Sequence, residues 1–131
     1  MEYSIKVSED RDYIILKIVG NFTGKDMMRC VVESHTLGRE TGIHSYLVDV
    51  TDARNIDTAM GNYEFAYSDM KMTEEVDPLA RVAGLTSPGD RSHDFVETVS
   101  ANAGMDFKLF TDREEALIFL KKRWPAGKPK P

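Results

Sequence analysis

The sequence predicts a single α/β domain with about four helices on one mixed five-stranded sheet, in the order ββαβαβαβα. Three observations carry this expectation. Short β-branched runs, YIILKIV at 13–19, SYLVDV at 45–50 and RVAGLT at 81–86, alternate with segments of helical period. A length of 131 residues suits one hydrophobic core. No repeat, low-complexity stretch or long linker divides the chain.

Residues 2–8 set Tyr3, Ile5 and Val7 against Glu2, Ser4 and Lys6, the period of two of a strand with one wet face. Beyond a polar turn at 9–12, residues 13–19 complete an antiparallel hairpin, and Gly20 is expected to end it. Thr23 and Asp26 have the spacing of a capping box, with Phe22 and Met27 placed as its hydrophobic staple. A helix follows over 24–39 with Met28, Val31, Val32 and His35 inward, and Gly42 close behind its end. SYLVDV reads as a central strand covered on both faces.

A polar loop at 51–55 leads to a second helix, 57–70, whose expected inner stripe is Met60, Tyr63, Tyr67 and Met70, with Phe65 off the stripe. Residues 71–80 read as loop, and 81–86 as another buried strand. After the Ser87-Pro88-Gly89-Asp90 turn, a third helix puts Ser92, Phe95, Val96, Val99 and Ala103 on one face. Residues 106–110 are the last strand. Thr111 and Glu114 have the spacing of a second capping box, opening a helix with Ala116, Leu117, Leu120 and Trp124 inward. Strand–helix alternation implies crossovers and mostly parallel pairing, with the first hairpin as an antiparallel edge.

The domain is expected to span 1–124, with 125–131 a disordered basic tail. The net charge is −5, but the last eleven residues hold five of the seventeen basic residues and no acidic one, so the folded part is strongly acidic. That argues against nucleic acid, which is usually met by positive charge on the folded part. The tail could touch a membrane surface or an acidic partner, although an ordinary solvated end explains the same composition. A start without a basic and apolar leader, and windows too short for a membrane span, make a cytoplasmic location the expectation. The single cysteine, Cys30, permits neither an internal disulfide nor a CxxC motif and reads as a small core residue. The three histidines show no metal-ligand spacing, and glycine-rich phosphate loops and a GxSxG elbow are missing, so no cofactor or metal is expected.

Four phrases, YLVDVTDAR at 46–54, ARVAGLTSPGD at 80–90, SHDFVETVSANAG at 92–104 and KLFTDREEALIFL at 108–120, together with the element order, resemble the STAS domain superfamily and its small SpoIIAA-like bacterial branch. The resemblance implies a regulatory, non-catalytic module that meets a protein partner, an anti-sigma-type regulator among them, or an apolar, lipid-like small molecule. Peripheral membrane contact and a homodimer are further expectations of this kind. In the antagonists of anti-sigma factors, a serine in an Asp-Ser-Ser-Gly element is phosphorylated. The corresponding stretch here is Asp57-Thr58-Ala59-Met60-Gly61, in which Asp57 and Thr58 match in kind, Ala59 replaces the second serine and Met60 is inserted before the glycine.

The resulting candidate surface joins the second and third helices: Asp57, Thr58, Met60, Tyr63, Tyr67, Met70, Ser92 and His93. Methionine is common where surfaces rearrange around apolar ligands, although an inward stripe is also what every packed helix shows. A phosphate on Thr58 would favour the helix start and repel an acidic partner, but Asp57 or Thr58 as a simple N-cap is the commoner role. A third reading is a small enzyme using His93 with Asp94 or Glu97. Neighbouring helix residues point about 100° apart, so His93 and Asp94 are poorly placed to address one atom.

Overall fold

The computed structural model describes residues 1–70, 74–102 and 104–122, without the side chains of 69, 70 and 99. Five strands form one sheet in the spatial order β1-β2-β3-β4-β5, namely Glu2–Val7, Ile14–Phe22, Ser45–Asn55, Arg81–Leu85 and Asp106–Phe110. β1 pairs antiparallel with β2, and the other three pairings are parallel. The expected order of elements and the antiparallel edge are both found. The proposed tail, Trp124 and Ala103 lie outside the described residues.

α1 (Gly24–Thr41) starts at the capping box read from the sequence: Asp26 N–H donates to Thr23 Oγ1 at 3.4 Å, and Thr23 N–H donates to Asp26 Oδ2 at 2.9 Å. Phe22 and Met27 pack in one cluster with Leu16, Ile18 and Cys30, as a staple requires. Gly42 closes the helix at φ 75°, a left-handed conformation that glycine adopts at little cost. The stripe against the sheet is centred on Cys30, Ser34 and Gly38 as well as Val31 and His35, and Met28 and Val32 are only half-buried.

β2 and β3 are both longer than expected. β2 continues through Gly20, at φ 97°, to Phe22, and β3 continues through the stretch assigned to a polar loop as far as Asn55. Their late residues pair with each other, Val19 with Asp52 through Phe22 with Asn55, after a register shift beyond Lys17. Backbone hydrogen bonding between the two segments overrides the polar composition of 51–55.

α2 (Ala59–Glu64) continues without a break as a π-helix over Phe65–Met70. Here the expected facing is reversed. Phe65, Ala66 and Asn62 are buried, whereas Met60 is 65 % and Tyr63 49 % exposed, with Tyr67 half-buried and stacked on Tyr63 at 4.5 Å. The side chain of Met70 is outside the described part. α3 (Asp94–Asn102) turns Val96 and Ser100 inward, with His93 buried just before it, and leaves Phe95 44 % exposed, contrary to the face expected from Ser92 and Phe95. α4 (Arg113–Leu120) is capped one residue later than expected: Glu115 N–H donates to the Asp112 carboxylate at 3.2 Å, so Thr111 and Glu114 form no box. Asp ranks among the best N-caps, ahead of Thr.

The alternation of the strands sends two sets of side chains in opposite directions. Leu47, Ala83, Leu85, Ala116 and Leu120 form a tight cluster under α4. Leu16, Ile18, Val48 and Val50 face the other side, covered by α1 and, beyond it, by α2 and α3.

Candidate functional site

The three-helix side of the sheet is not filled. A cavity of about 520 Å³ lies between it and α1, α2 and α3. Leu16, Val48, Val50 and Val82 make its floor, and Val31, Phe65 and Val96 face them from the helices. The size falls in the range of small-molecule pockets, and such a void in an interior normally packed like an organic crystal calls for a reason. Close approaches elsewhere show that the chain packs tightly where it needs to. Gly84, also in the wall, has Leu109 so near that a Cβ would stand 2.7 Å from its Cδ2.

Polar groups occur at both ends. Near the starts of β3 and β4, His35 is 2 % exposed, stacks on Tyr46 with ring centroids 4.3 Å apart, and accepts a hydrogen bond from Asp77 N–H on Nδ1 at 2.8 Å. Burial lowers its pKa to about 4, so it is neutral near pH 7, and burial likewise raises that of the Tyr46 phenol. This is the inward-facing histidine expected at that position, held by a hydrogen bond. Asp77 is also paired with His44 through Nδ1. The rim here carries Glu74, Asp77, Pro78 and Asp106, with Asp106 bonded to Arg81 Nε at 3.1 Å.

At the opposite end, near the finish of β2 and β3, His93 is 3 % exposed and stacks on Phe22 at 5.7 Å. Burial lowers its pKa, opposed by Asp90 and by a hydrogen bond to the Ala53 backbone. Its Nε2 is sealed from solvent and stands 3.3 Å from Asp90 Oδ2, with which it is paired. Asn62 beside it accepts from Asn55 Nδ2 at 2.9 Å.

A solved structure has the same arrangement of strands and helices: an uncharacterised protein of the DUF3478 family with a SpoIIAA-like fold from Shewanella loihica. It matches at a TM-score of 0.51 and 23 % identity, over 91 % of this chain and 92 % of that one. The chain has a SpoIIAA-like fold. No protein-family model and no curated protein sequence matches it.

Within this SpoIIAA-like fold the eight residues singled out from the sequence separate. Of the seven whose side chains are described, His93 alone lines the cavity. Thr58 is the N-cap of α2, its Oγ1 accepting from Gly61 N–H at 3.0 Å, and Asp57 lies beside it. Ser92 Oγ accepts from Asn55 N–H at 3.2 Å, fixing the start of α3 against the end of β3. Met60 and Tyr63 face outward. The partners required for acid–base work with His93 are engaged elsewhere: Asp94 accepts from Arg91 Nε at 2.7 Å, and Glu97 accepts from Leu109 N–H at 2.6 Å. Of the residues that do line the cavity, His35 and Tyr46 were read as core, Phe65 was placed off the inner stripe, and Asn62 was not singled out. Among the described residues no three His, Cys, Asp or Glu side chains group as a metal set, and no helix is long and apolar enough to cross a membrane.

Proposed function

We propose that this protein is a non-catalytic, regulatory binding module that takes an apolar small molecule into the cavity beneath α1, α2 and α3. The observation that supports it is the cavity itself: about 520 Å³, with mainly apolar walls and a few polar groups at each end, the composition typical of ligand pockets. The π-helical continuation of α2 forms part of the wall through Phe65, and π turns are frequent at functional sites. Titration with the neutral apolar dye Nile red tests the proposal. One saturable site per chain is expected, lost in Val82→Trp, whose larger side chain would occupy the cavity. Failure of the dye to bind the wild-type protein removes the proposal.

A second reading, a protein partner on the outside of α2 and α3, is favoured by the exposure of Ile56, Met60, Tyr63 and Phe95 along those elements. Thr58, exposed at the same helix start, is the phosphorylation candidate in that case. Mixing with an anti-sigma-type kinase from the same host, followed by intact-mass measurement, distinguishes the two. No complex and no mass gain at Thr58 leaves the small-molecule reading alone.

A further inference from the structure

His35, 2 % exposed in the wall of the cavity, uses only one of its two ring nitrogens. Nδ1 accepts from Asp77 N–H at 2.8 Å, which puts the proton of the neutral ring on Nε2. One face of the ring is covered by Tyr46, whose hydroxyl donates to Ile43 O at 3.4 Å. With that face and the Nδ1 edge taken, the ring meets the cavity on the side that carries Nε2–H. Among the described residues this N–H has no acceptor, and unlike His93 Nε2 it is not sealed off. Other polar groups of the wall have partners: Ser34 Oγ donates to Cys30 O at 2.8 Å, Asn62 Oδ1 accepts from Asn55, and His93 is paired with Asp90. A donor placed in a buried wall without an acceptor is costly, and native proteins rarely keep one without a reason.

We propose that the cavity selects an uncharged carbonyl compound, a long-chain ketone or fatty ester, whose carbonyl oxygen accepts from His35 Nε2–H while its hydrocarbon chain lies over Val82, Val48 and Val50. This rests on the cavity being a ligand site. A carbonyl oxygen accepts without bringing a donor of its own, so it completes this tautomer and leaves no new group unpaired. Val82 lies beside Tyr46 in register, so His35 stands at the start of the valine floor. The four residues from Tyr46 to Val50 span about 13 Å at the rise of a strand, room for a chain of about ten carbons. A carboxylate does not suit the position. Glu74, Asp77 and Asp106 stand at this rim, and among the described residues no Lys or Arg lines the cavity. The cations nearby are engaged: Arg39 Nη1 donates to Glu75 O at 2.9 Å, and Arg81 Nε donates to Asp106 at 3.1 Å. His44 is paired with Asp77. An anion would give up its hydration for one neutral donor among like charges.

The test compares 2-decanone, decanoate and decane by calorimetry or by competition with Nile red, together with ¹⁵N spectra of the His35 ring and the infrared carbonyl stretch of bound 2-decanone. The ketone is expected to bind at least about tenfold more tightly than decanoate, roughly the effect of the charge that it does not bury. Its carbonyl should absorb at lower frequency when bound than in decane solution, and 2-decanone, but not decane, should shift the protonated Nε2 resonance. His35→Phe should weaken 2-decanone about tenfold and leave decane unchanged, with His35→Gln, which offers an amide donor, restoring most of the loss. Equal or tighter binding of decanoate, or bound 2-decanone that leaves the Nε2 resonance unmoved, overturns the proposal even should His35→Phe fail to fold. If Nile red and decane bind while the ketone carbonyl absorbs as it does in decane, only the carbonyl anchor falls. If none of the ligands binds, the cavity reading falls and the anchor with it.

Discussion

Asp57 accepts a hydrogen bond from the backbone N–H of Gly24 at 2.7 Å, so that one carboxylate joins the first turn of α1 to the approach of α2. Its other oxygen accepts from Thr58 N–H at 2.7 Å, and Gly61 passes so close that a Cβ there would collide with the carboxylate. Two of the three helices that cover the cavity, α1 and α2, are thus fixed to each other at their starts. Asp57→Ala is expected to lower stability by about 2 kcal/mol, since it removes a charged acceptor from two helix-start amides. Thr58→Ala, which removes only the cap of α2, should cost about 1 kcal/mol. Urea denaturation measures both, and a loss at Asp57 no larger than that at Thr58 contradicts the joint role.

His35 makes the fold sensitive to mild acid. Its pKa is about 4 when folded, below an unfolded value near 6.5, because burial opposes the charged form. Between those values the unfolded chain binds a proton that the folded chain does not, so stability falls as pH drops from 6.5 to about 4 and then levels. The contribution is about 3 kcal/mol. His93, whose pKa is also lowered by burial, acts in the same direction. In His35→Gln, which keeps an acceptor for Asp77 N–H, the difference in unfolding free energy between pH 7 and pH 4.5 should shrink markedly. An unchanged difference would show that His35 titrates normally.

Cys30 is fully buried in the cluster of Leu16, Ile18 and Phe22, and burial pushes its thiol up to about 11. The thiolate, the reactive form, is therefore scarce at pH 8 and also shielded. Ellman's reagent should react with native protein slowly, at a rate that tracks unfolding, and promptly in urea. Rapid native labelling would mean that α1 opens readily from the sheet.

The element order was legible in the sequence because it rests on local period: alternation at 2–8, β-branched runs at 13–19 and 45–50, and the Thr23/Asp26 box. What escaped notice depends on distant partners. Asp52 and Asn55 are poor strand formers alone and become strand because Val19 and Phe22 pair with them. On α2 the sequence gives a period but not which of two apolar faces meets the sheet. Met60, Tyr63 and Tyr67 form the larger stripe, yet Phe65 and Ala66 are the pair that the π turn faces inward. His35 was legible as a core histidine from its place among Val31 and Val32. The cavity was not legible at all, because a void is a property of three helices and a sheet together, and no single segment records it.

The void also predicts an opposition between stability and binding. Val96, half-buried on α3, lines the cavity and packs beside Val31, Phe65 and Val76. A phenylalanine at this position can extend into the space without displacing a neighbour, and filling a cavity recovers about 24 cal/mol per Å³. Val96→Phe is therefore expected to raise stability by about 1 kcal/mol while weakening Nile red binding, the pattern of a site kept open for a ligand. In a closely packed interior the same substitution would instead cost roughly 1–3 kcal/mol through overpacking. Urea denaturation and dye titration on one preparation distinguish the outcomes. A destabilised Val96→Phe that binds the dye as the wild type does would mean that the cavity is not the binding site.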